Sequence, residues 1–193
     1  MKKLKIAITG SIGSGKSAFS KFIREKGFIV LDADEISKKI LAEDEEVRAM
    51  VIGEFGPDSF TGNEINKKYL SEKVFSDPEN VFKINSILHP PVIGEVNYLM
   101  NRELEKSDKV FAEAALIYEA EMEEMFDYVV LVISGIEERY RRKSSLMPRE
   151  DFEKRDFNQI PDEEKKKRAD FIFENNGSLE ELKHKADLLL SIL

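Results

Sequence analysis

The chain contains no cysteine and only two histidines, His89 and His184. Disulfides and cysteine-ligated zinc are therefore excluded. The two histidines stand far apart in sequence, which argues against a histidine-rich metal site. No apolar run approaches the roughly 20 residues that a membrane-spanning helix needs. A signal peptide is not expected, because Met1 is followed almost at once by a strand-like stretch, Leu4 to Thr9. Positive charge is in deficit, with 30 Lys and Arg against 38 Asp and Glu and a net charge of −8. That disfavours non-specific binding to nucleic acid or anionic membranes, while leaving room for a local basic pocket. Repeats, low-complexity tracts and linkers are missing too. The expectation is a cytoplasmic monomer of 193 residues, whose 41% hydrophobic content suffices for one α/β domain with insertions.

What is present is concentrated near the start. Gly10-Ser11-Ile12-Gly13-Ser14-Gly15-Lys16-Ser17 fits G-x-x-x-x-G-K-[ST], the phosphate-binding P-loop. Its flanks agree: an apolar strand precedes it, and Ser17 to Lys26 reads as a helix stopped by Gly27. The glycines let the backbone approach a phosphate with no Cβ in the way. The N–H groups of residues 11–17 and the helix N-terminus would face the anion. Lys16 can reach the β- and γ-phosphates of a nucleotide, and the Ser17 hydroxyl can hold Mg²⁺.

Phe28 to Leu31 is apolar on both faces, as a buried parallel strand should be, and it ends in Asp32-Ala33-Asp34. A right-handed βαβ connection delivers these carboxylates to the sheet edge that carries the P-loop. If the chain stays extended there, Asp32 and Asp34 point the same way. They are candidates for orienting an acceptor hydroxyl, taking its proton or holding a water on Mg²⁺; capping the next helix is the structural alternative.

From Glu35 to Arg102 the strand signal gives way to helical spacing. Several helices are expected, and the one opened by Asp77-Pro78 is expected to run to Leu88, where His89-Pro90-Pro91 breaks it before a longer helix from Val92 to about Glu105. Lys109 to Ala112 resumes the sheet and ends at Glu113, which either partners the metal from behind or serves as a capping or surface residue. Ala114 to Phe126 is expected to be helical and acidic. Tyr128 to Ile133 is the plainest buried strand. Arg139, Arg142 and Arg149 lie on a basic segment, residues 139–161, interrupted by Met147-Pro148 and Ile160-Pro161, which could close as a lid over moving charge; a solvated basic helix face is the alternative. Asp170 to Phe173 is a last short strand, and Ser178 with Glu181 forms a capping box for the final helix. The expected architecture is a three-layer α/β P-loop fold with a parallel sheet. The core is 1–34, 107–138 and 168–193; a helical substrate-binding insertion occupies 35–106 and a lid 139–167.

A P-loop leaves the reaction open among phosphoryl transfer to a small molecule, a GTPase switch and an ATP-binding module. Asn66-Lys67-Lys68-Tyr69 fails the guanine motif N-K-x-D, and no Asp has Gly three positions later, which disfavours the switch.

The order Thr9-Gly10-Ser11-Ile12-Gly13-Ser14-Gly15-Lys16-Ser17, then Asp32-Ala33-Asp34, then Leu88-His89-Pro90 resembles the dephospho-CoA kinases. Arg155, Gln159, Lys165, Ala169-Asp170, Ile172 and Asn175-Asn176-Gly177 extend the resemblance over nearly the whole chain. It implies a nucleotide core, a helical substrate domain and a lid. It also implies transfer of the γ-phosphate of ATP, with Mg²⁺, to the ribose 3′-hydroxyl of dephospho-CoA. By that resemblance Lys16, Asp32, Asp34 and Arg142 are catalytic, and residues 11–17 bind the nucleotide. Asp34, Lys67 and His89 meet the acceptor, and Ser17 holds the metal. The chain departs from the family pattern at Ser11, where Gly is usual, and at Lys67, where Arg is common. It departs again at Glu113, where Asp is usual.

Overall fold

The computed structural model describes residues 2–193. In chain order it runs β1 (Leu4–Thr9), α1 (Lys16–Glu25), β2 (Val30–Asp32), α2 (Ala33–Glu43), α3 (Glu45–Phe55), β3 (Phe60–Thr61), β4 (Glu64–Ile65), α4 (Lys67–Val74) and α5 (Pro78–Glu103). It continues with β5 (Lys109–Glu113), β6 (Tyr128–Ile133), α6 (Ile136–Lys143), α7 (Arg149–Phe157), α8 (Asp162–Lys166), β7 (Phe171–Glu174) and α9 (Leu179–Ile192). The described residues fall into two compact units. One holds the chain up to Asp32 together with Asn97–Leu193, and the other holds Ala33–Val96.

The first unit is built on a five-stranded sheet in the order β2–β5–β1–β6–β7, every pairing parallel. Parallel strands need crossovers that cover both faces, so central strands read as continuous apolar runs. β6 is the clearest case, with Val129 to Ile133 all buried. One face of the sheet presents Leu4, Ile6, Ile8, Phe111, Val130, Val132 and Phe173 to Phe19 and Ile23 of α1 and to Leu182, Ala186 and Leu189 of α9. Phe19 stacks on Phe173 with ring centroids 5.3 Å apart. The result is a three-layer α/β arrangement. β1 sits in the middle, paired to β5 on one side and β6 on the other. The switch in strand order therefore falls at its carboxyl end, where the glycine-rich turn emerges.

The second unit has its own core of Val47, Val51, Phe55, Phe60, Leu70, Val74 and Ile84. Asp44 caps α3 by accepting from the N–H groups of Glu46 and Val47. Asn66 caps α4 by accepting from Tyr69 N at 3.3 Å. The two-residue strands β3 and β4 pair antiparallel across the Thr61-Gly62-Asn63 turn, a hairpin too short to show in the sequence pattern.

Three expectations are corrected. The prolines do not divide the helix: α5 runs unbroken through Pro90 and Pro91. Each removes one hydrogen-bond donor. The buried stripe of Ile84, Val92, Val96 and Met100 nevertheless stays at helical spacing on both sides, so packing outweighs the local loss. Residues 114–126 do not form an α-helix. They are turns ending in a short 3₁₀ turn at Glu123–Met125, because Ala114 N is still tied to Ile8 O and Met122 N reaches back to Ile117 O. Glu121 takes a left-handed φ of 52° within them. Finally, β2 ends at Asp32 and α2 begins at Ala33, so strand alternation does not align Asp32 with Asp34. No helix among the described residues is long and apolar enough to cross a membrane.

Candidate active site

β1 ends in a loop that turns back on itself, Ser14 N donating to Ser11 O at 3.0 Å, and passes directly into α1. Two glycines make that path possible. Gly13 has φ 78° and Gly15, the residue preceding α1, has φ 101°. Both values lie in the left-handed region that disfavours side chains. A Cβ on Gly13 would collide with the Arg139 carbonyl, and one on Gly15 with the Asn175 amide. Ser14 N is used within the turn and Ile12 N is bonded to Gln159, so the N–H groups of Gly13, Gly15 and the first turn of α1 are the ones left for an anion.

Gly13, Ser14, Gly15, Lys16 and Ser17, with Arg142 and Lys143 of α6, line a cavity of about 150 Å³. Arg142 is fixed by backbone oxygens. Its Nη1 donates to Gly13 O at 3.1 Å and Ser14 O at 3.2 Å, and its Nη2 donates to Asn175 O at 2.6 Å. Partial burial is the main reason its pKa lies below the ordinary arginine value, with the like charge of Arg141 adding to the effect. The Asn175 side chain donates to Ser14 O at 2.8 Å, and Asn175 O accepts from the Ser134 hydroxyl at 2.8 Å. The carbonyls of the loop are thus turned toward donors behind it.

Beneath the first turn of α1, Ser17 Oγ donates to Glu113 Oε1 at 2.5 Å. Glu113 ends β5 and is only 3% exposed. Its Oε2 has no hydrogen-bond partner among the described residues and lies 3.7 Å from Arg24 Nη2. Arg24 is held in turn by Val30 O, which accepts from Nε and Nη2 at 3.3 and 3.2 Å. Asp32 stands opposite Glu113 in the β2–β5 register, so one strand edge carries both carboxylates.

The structure therefore gathers Gly13 to Ser17 and Arg142 around one cavity, with Glu113 bonded to Ser17 and Asp32 opposite it in register. Ser11 and Ile12, also expected to bind the nucleotide, are engaged on the other side. Ser11 Oγ donates to Asp162, and Ile12 N donates to Gln159. Asp34, Lys67 and His89 belong to the second unit. Asp34 is exposed in the first turn of α2, Lys67 is exposed at the start of α4, and His89 is half-buried within α5. Among the lid arginines, Arg139 is buried and pairs with Asp156, whereas Arg149 pairs with Glu137 and Glu153 at the surface. Those two carboxylates hold the Arg149 pKa above its ordinary value. Sequence reasoning assigned Asn175 to a turn and missed its contact with the loop. Nothing in local spacing signals a bond across 161 residues.

Comparison with known proteins bears on the same residues. The family model described as dephospho-CoA kinase matches residues 4–181. A dephospho-CoA kinase of Fusobacterium nucleatum is 38% identical over 186 residues, which is 94% of each chain. A crystal structure of a Thermus thermophilus protein superposes with a TM-score of 0.80 at 34% identity, covering 100% of this chain and 99% of the other. A dephospho-CoA kinase from Campylobacter jejuni superposes with a TM-score of 0.72 at 25% identity, covering 97% and 95%. With the match spanning the loop, the Asp-Ala-Asp stretch, Leu88-His89-Pro90 and the Asn175 turn, this chain belongs to the dephospho-CoA kinase family.

Proposed function

We propose that the protein transfers the γ-phosphate of ATP to the 3′-hydroxyl of dephospho-CoA, giving coenzyme A and ADP. The observation that carries this reading is the cavity walled by Gly13 to Ser17 and Arg142, in a chain of that family. Phosphoryl transfer needs little covalent chemistry from a protein; it needs positioning and neutralisation of charge. The N–H groups of Gly13, Gly15 and the first turn of α1 cradle the β-phosphate. Lys16 adds a mobile positive charge at the β- and γ-oxygens, and Arg142 meets charge as it shifts toward the acceptor. Residues 139–167 act as the lid that excludes water, 35–106 as the acceptor-binding insertion, and the remainder as the nucleotide core.

The residues fit Mg²⁺. A serine hydroxyl and a buried carboxylate are in contact, one carboxylate oxygen accepts no hydrogen bond among the described residues, and Asp32 stands opposite in register. No group of three or more His, Cys, Asp or Glu able to hold a metal occurs among the described residues. A donor set of one hydroxyl and neighbouring carboxylates suits a cation that keeps its waters and takes phosphate oxygens rather than a full protein cage. Ser17 would hold it, with Glu113 behind, and bound there it would neutralise phosphate charge.

Asp32 and Asp34 orient the acceptor hydroxyl or receive its proton, and Lys67 and His89 contact the acceptor. The net charge of −8 favours a small-molecule acceptor over nucleic acid, and we read the protein as a cytoplasmic monomer. The test is acceptor-dependent ADP release. Dephospho-CoA should stimulate it well above the rate with ATP alone. Stimulation by a different hydroxyl metabolite or nucleoside monophosphate, with none by dephospho-CoA, would replace the substrate. ATP binding with no stimulating acceptor would favour a regulatory module.

A further inference from the structure

The residues that follow Ile12 face the cavity, but Ser11 and Ile12 are gripped from behind. Ile12 N donates to Gln159 Oε1 at 2.8 Å, and Ile12 O accepts from Arg139 Nη1 at 3.4 Å. Ser11 Oγ donates to Asp162 Oδ1 at 2.6 Å and lies 3.5 Å from Lys165 Nζ. Lys165 is fully buried and pairs with Glu119 at 3.1 Å. Glu119 also accepts from Ile160 N at 2.8 Å. Both polar groups of the Ile12 backbone and the hydroxyl before it are therefore satisfied by four side chains from residues 139–165.

We propose that Gln159, Asp162 and Lys165 are positioning residues for ATP: they clamp Ser11 and Ile12 and so fix the turn that aims the following N–H groups. The inference rests on reading the loop as the phosphate site. A glycine-rich loop free to move loses conformational entropy when it closes on a phosphate, and a loop already held does not. The link is direct, because the Ser14 N–H that closes the turn bonds Ser11 O. Displacing Ser11 therefore displaces Ser14 and Gly13. The Lys165–Glu119 pair anchors the clamp, since a buried ammonium with no route to water cannot leave its carboxylate without a large desolvation cost. The phosphate cradle consequently begins at Gly13, and Ile12 contributes no N–H to it.

Calorimetric ATP binding and steady-state rates on the full chain test this, using Ser11→Ala, Asp162→Ala, their double variant and Asp162→Asn. Each alanine variant is expected to raise both Kd and KM for ATP about tenfold, the scale for a hydrogen bond to a charged acceptor, with the KM for dephospho-CoA unchanged. The double variant should be no worse than either single one, because both remove the same bond. Asp162→Asn keeps an acceptor oxygen and should retain ATP affinity. Ser11→Ala changes the packing least and keeps the test informative if Asp162→Ala folds poorly. A lower Tm with unchanged ATP Kd would overturn the proposal in favour of a purely structural role, as would additive losses in the double variant. Wild-type protein that fails to bind ATP would remove the phosphate-site reading as well. Wild-type turnover with ATP affinity unaltered in every variant would remove the clamp alone.

Discussion

The hydroxyl of Ser17 and the carboxylate of Glu113 share a hydrogen bond of 2.5 Å, joining the first turn of α1 to the carboxyl end of β5. With the Ser17 O–H donating its hydrogen bond to Glu113, the Ser17 lone pairs are left for a cation. Glu113 reaches the hydroxyl directly, and Arg24 Nη2 lies 3.7 Å from its other oxygen. Glu113→Gln keeps the shape and an acceptor oxygen but removes the charge. The Mg²⁺ concentration giving half-maximal rate should rise by about 10- to 100-fold, as when a group behind a metal ligand is lost. Initial rates across a Mg²⁺ series measure it, and an unmoved midpoint would reduce Glu113 to a structural partner of Arg24.

Gly15 combines a left-handed φ with a neighbour that a side chain would strike. Gly15→Ala should destabilise the protein by about 2 kcal/mol or more, from backbone strain and from collision with the Asn175 amide. Urea denaturation gives the value. Asn175→Ala costs a bond to Ser14 O but clears the space. The double variant should therefore lose less than the sum of the single ones; full additivity would show that Asn175 can move aside freely.

The loop was legible because its chemistry is local. Three glycines, one lysine and three serines sit within eight residues, and the strand and helix around them follow from apolar spacing. β6 was equally plain, since a strand buried on both faces needs no partner to be recognised. The misread stretches were those where distant packing decides. The apolar stripe of α5 carries the helix past Pro90 and Pro91, and Ala114 is held to β1, which keeps residues 114–126 from winding into an α-helix. Asp32 and Asp34 were legible as a pair but not in orientation, because the strand gives way to helix between them. The basic segment was visible as charge. That Arg139 is buried, Arg142 faces the loop and Arg149 faces surface carboxylates depends on contacts across more than a hundred residues for the first two.

Arg142 reaches three carbonyls with two nitrogens of one planar group. A lysine at that position keeps the charge but not the fork. Arg142→Lys should therefore lose most of what Arg142→Ala loses, with turnover reduced by about 100-fold in both. Stopped-assay turnover at saturating ATP separates the cases. Near-wild-type rates for the lysine variant would mean that charge alone matters.

Asp32 ends β2 in register with Glu113, whereas Asp34 is exposed in the first turn of α2. If Asp34 serves the acceptor, Asp34→Asn should lower turnover by about 100-fold while the Kd for ATP stays near wild type. Asp32→Asn should instead shift the Mg²⁺ midpoint if Asp32 faces the metal. Paired ATP calorimetry and Mg²⁺-dependent rates distinguish them, and a weakened ATP Kd in Asp34→Asn with normal turnover of the bound complex would exchange the two roles.

Tyr118 offers a test of stability away from the cavity. It is 2% exposed, and its hydroxyl has no hydrogen-bond partner among the described residues. Burial raises its pKa from 10.0 to about 12, with Asp170 and Glu119 pushing the same way and Arg168 opposing. The folded protein therefore keeps the phenolic proton over a range where the unfolded chain has released it. Between those two values the folded state binds more protons than the unfolded one, so stability falls as pH rises; below the lower value this group contributes no slope. Tyr118→Phe removes both the titration and an unpaired buried hydroxyl, while keeping a ring beneath Arg168, whose guanidinium lies 4.6 Å from the ring centre. Near neutral pH the variant should match wild type within about 1 kcal/mol, because deleting an unpaired buried hydroxyl costs little. In alkaline solution near pH 11 it should unfold at a higher urea concentration than wild type, and the gap should widen with pH until the folded phenol itself ionises. Parallel pH-dependent urea curves for the two proteins would show that Tyr118 ionises alike in the folded and unfolded states.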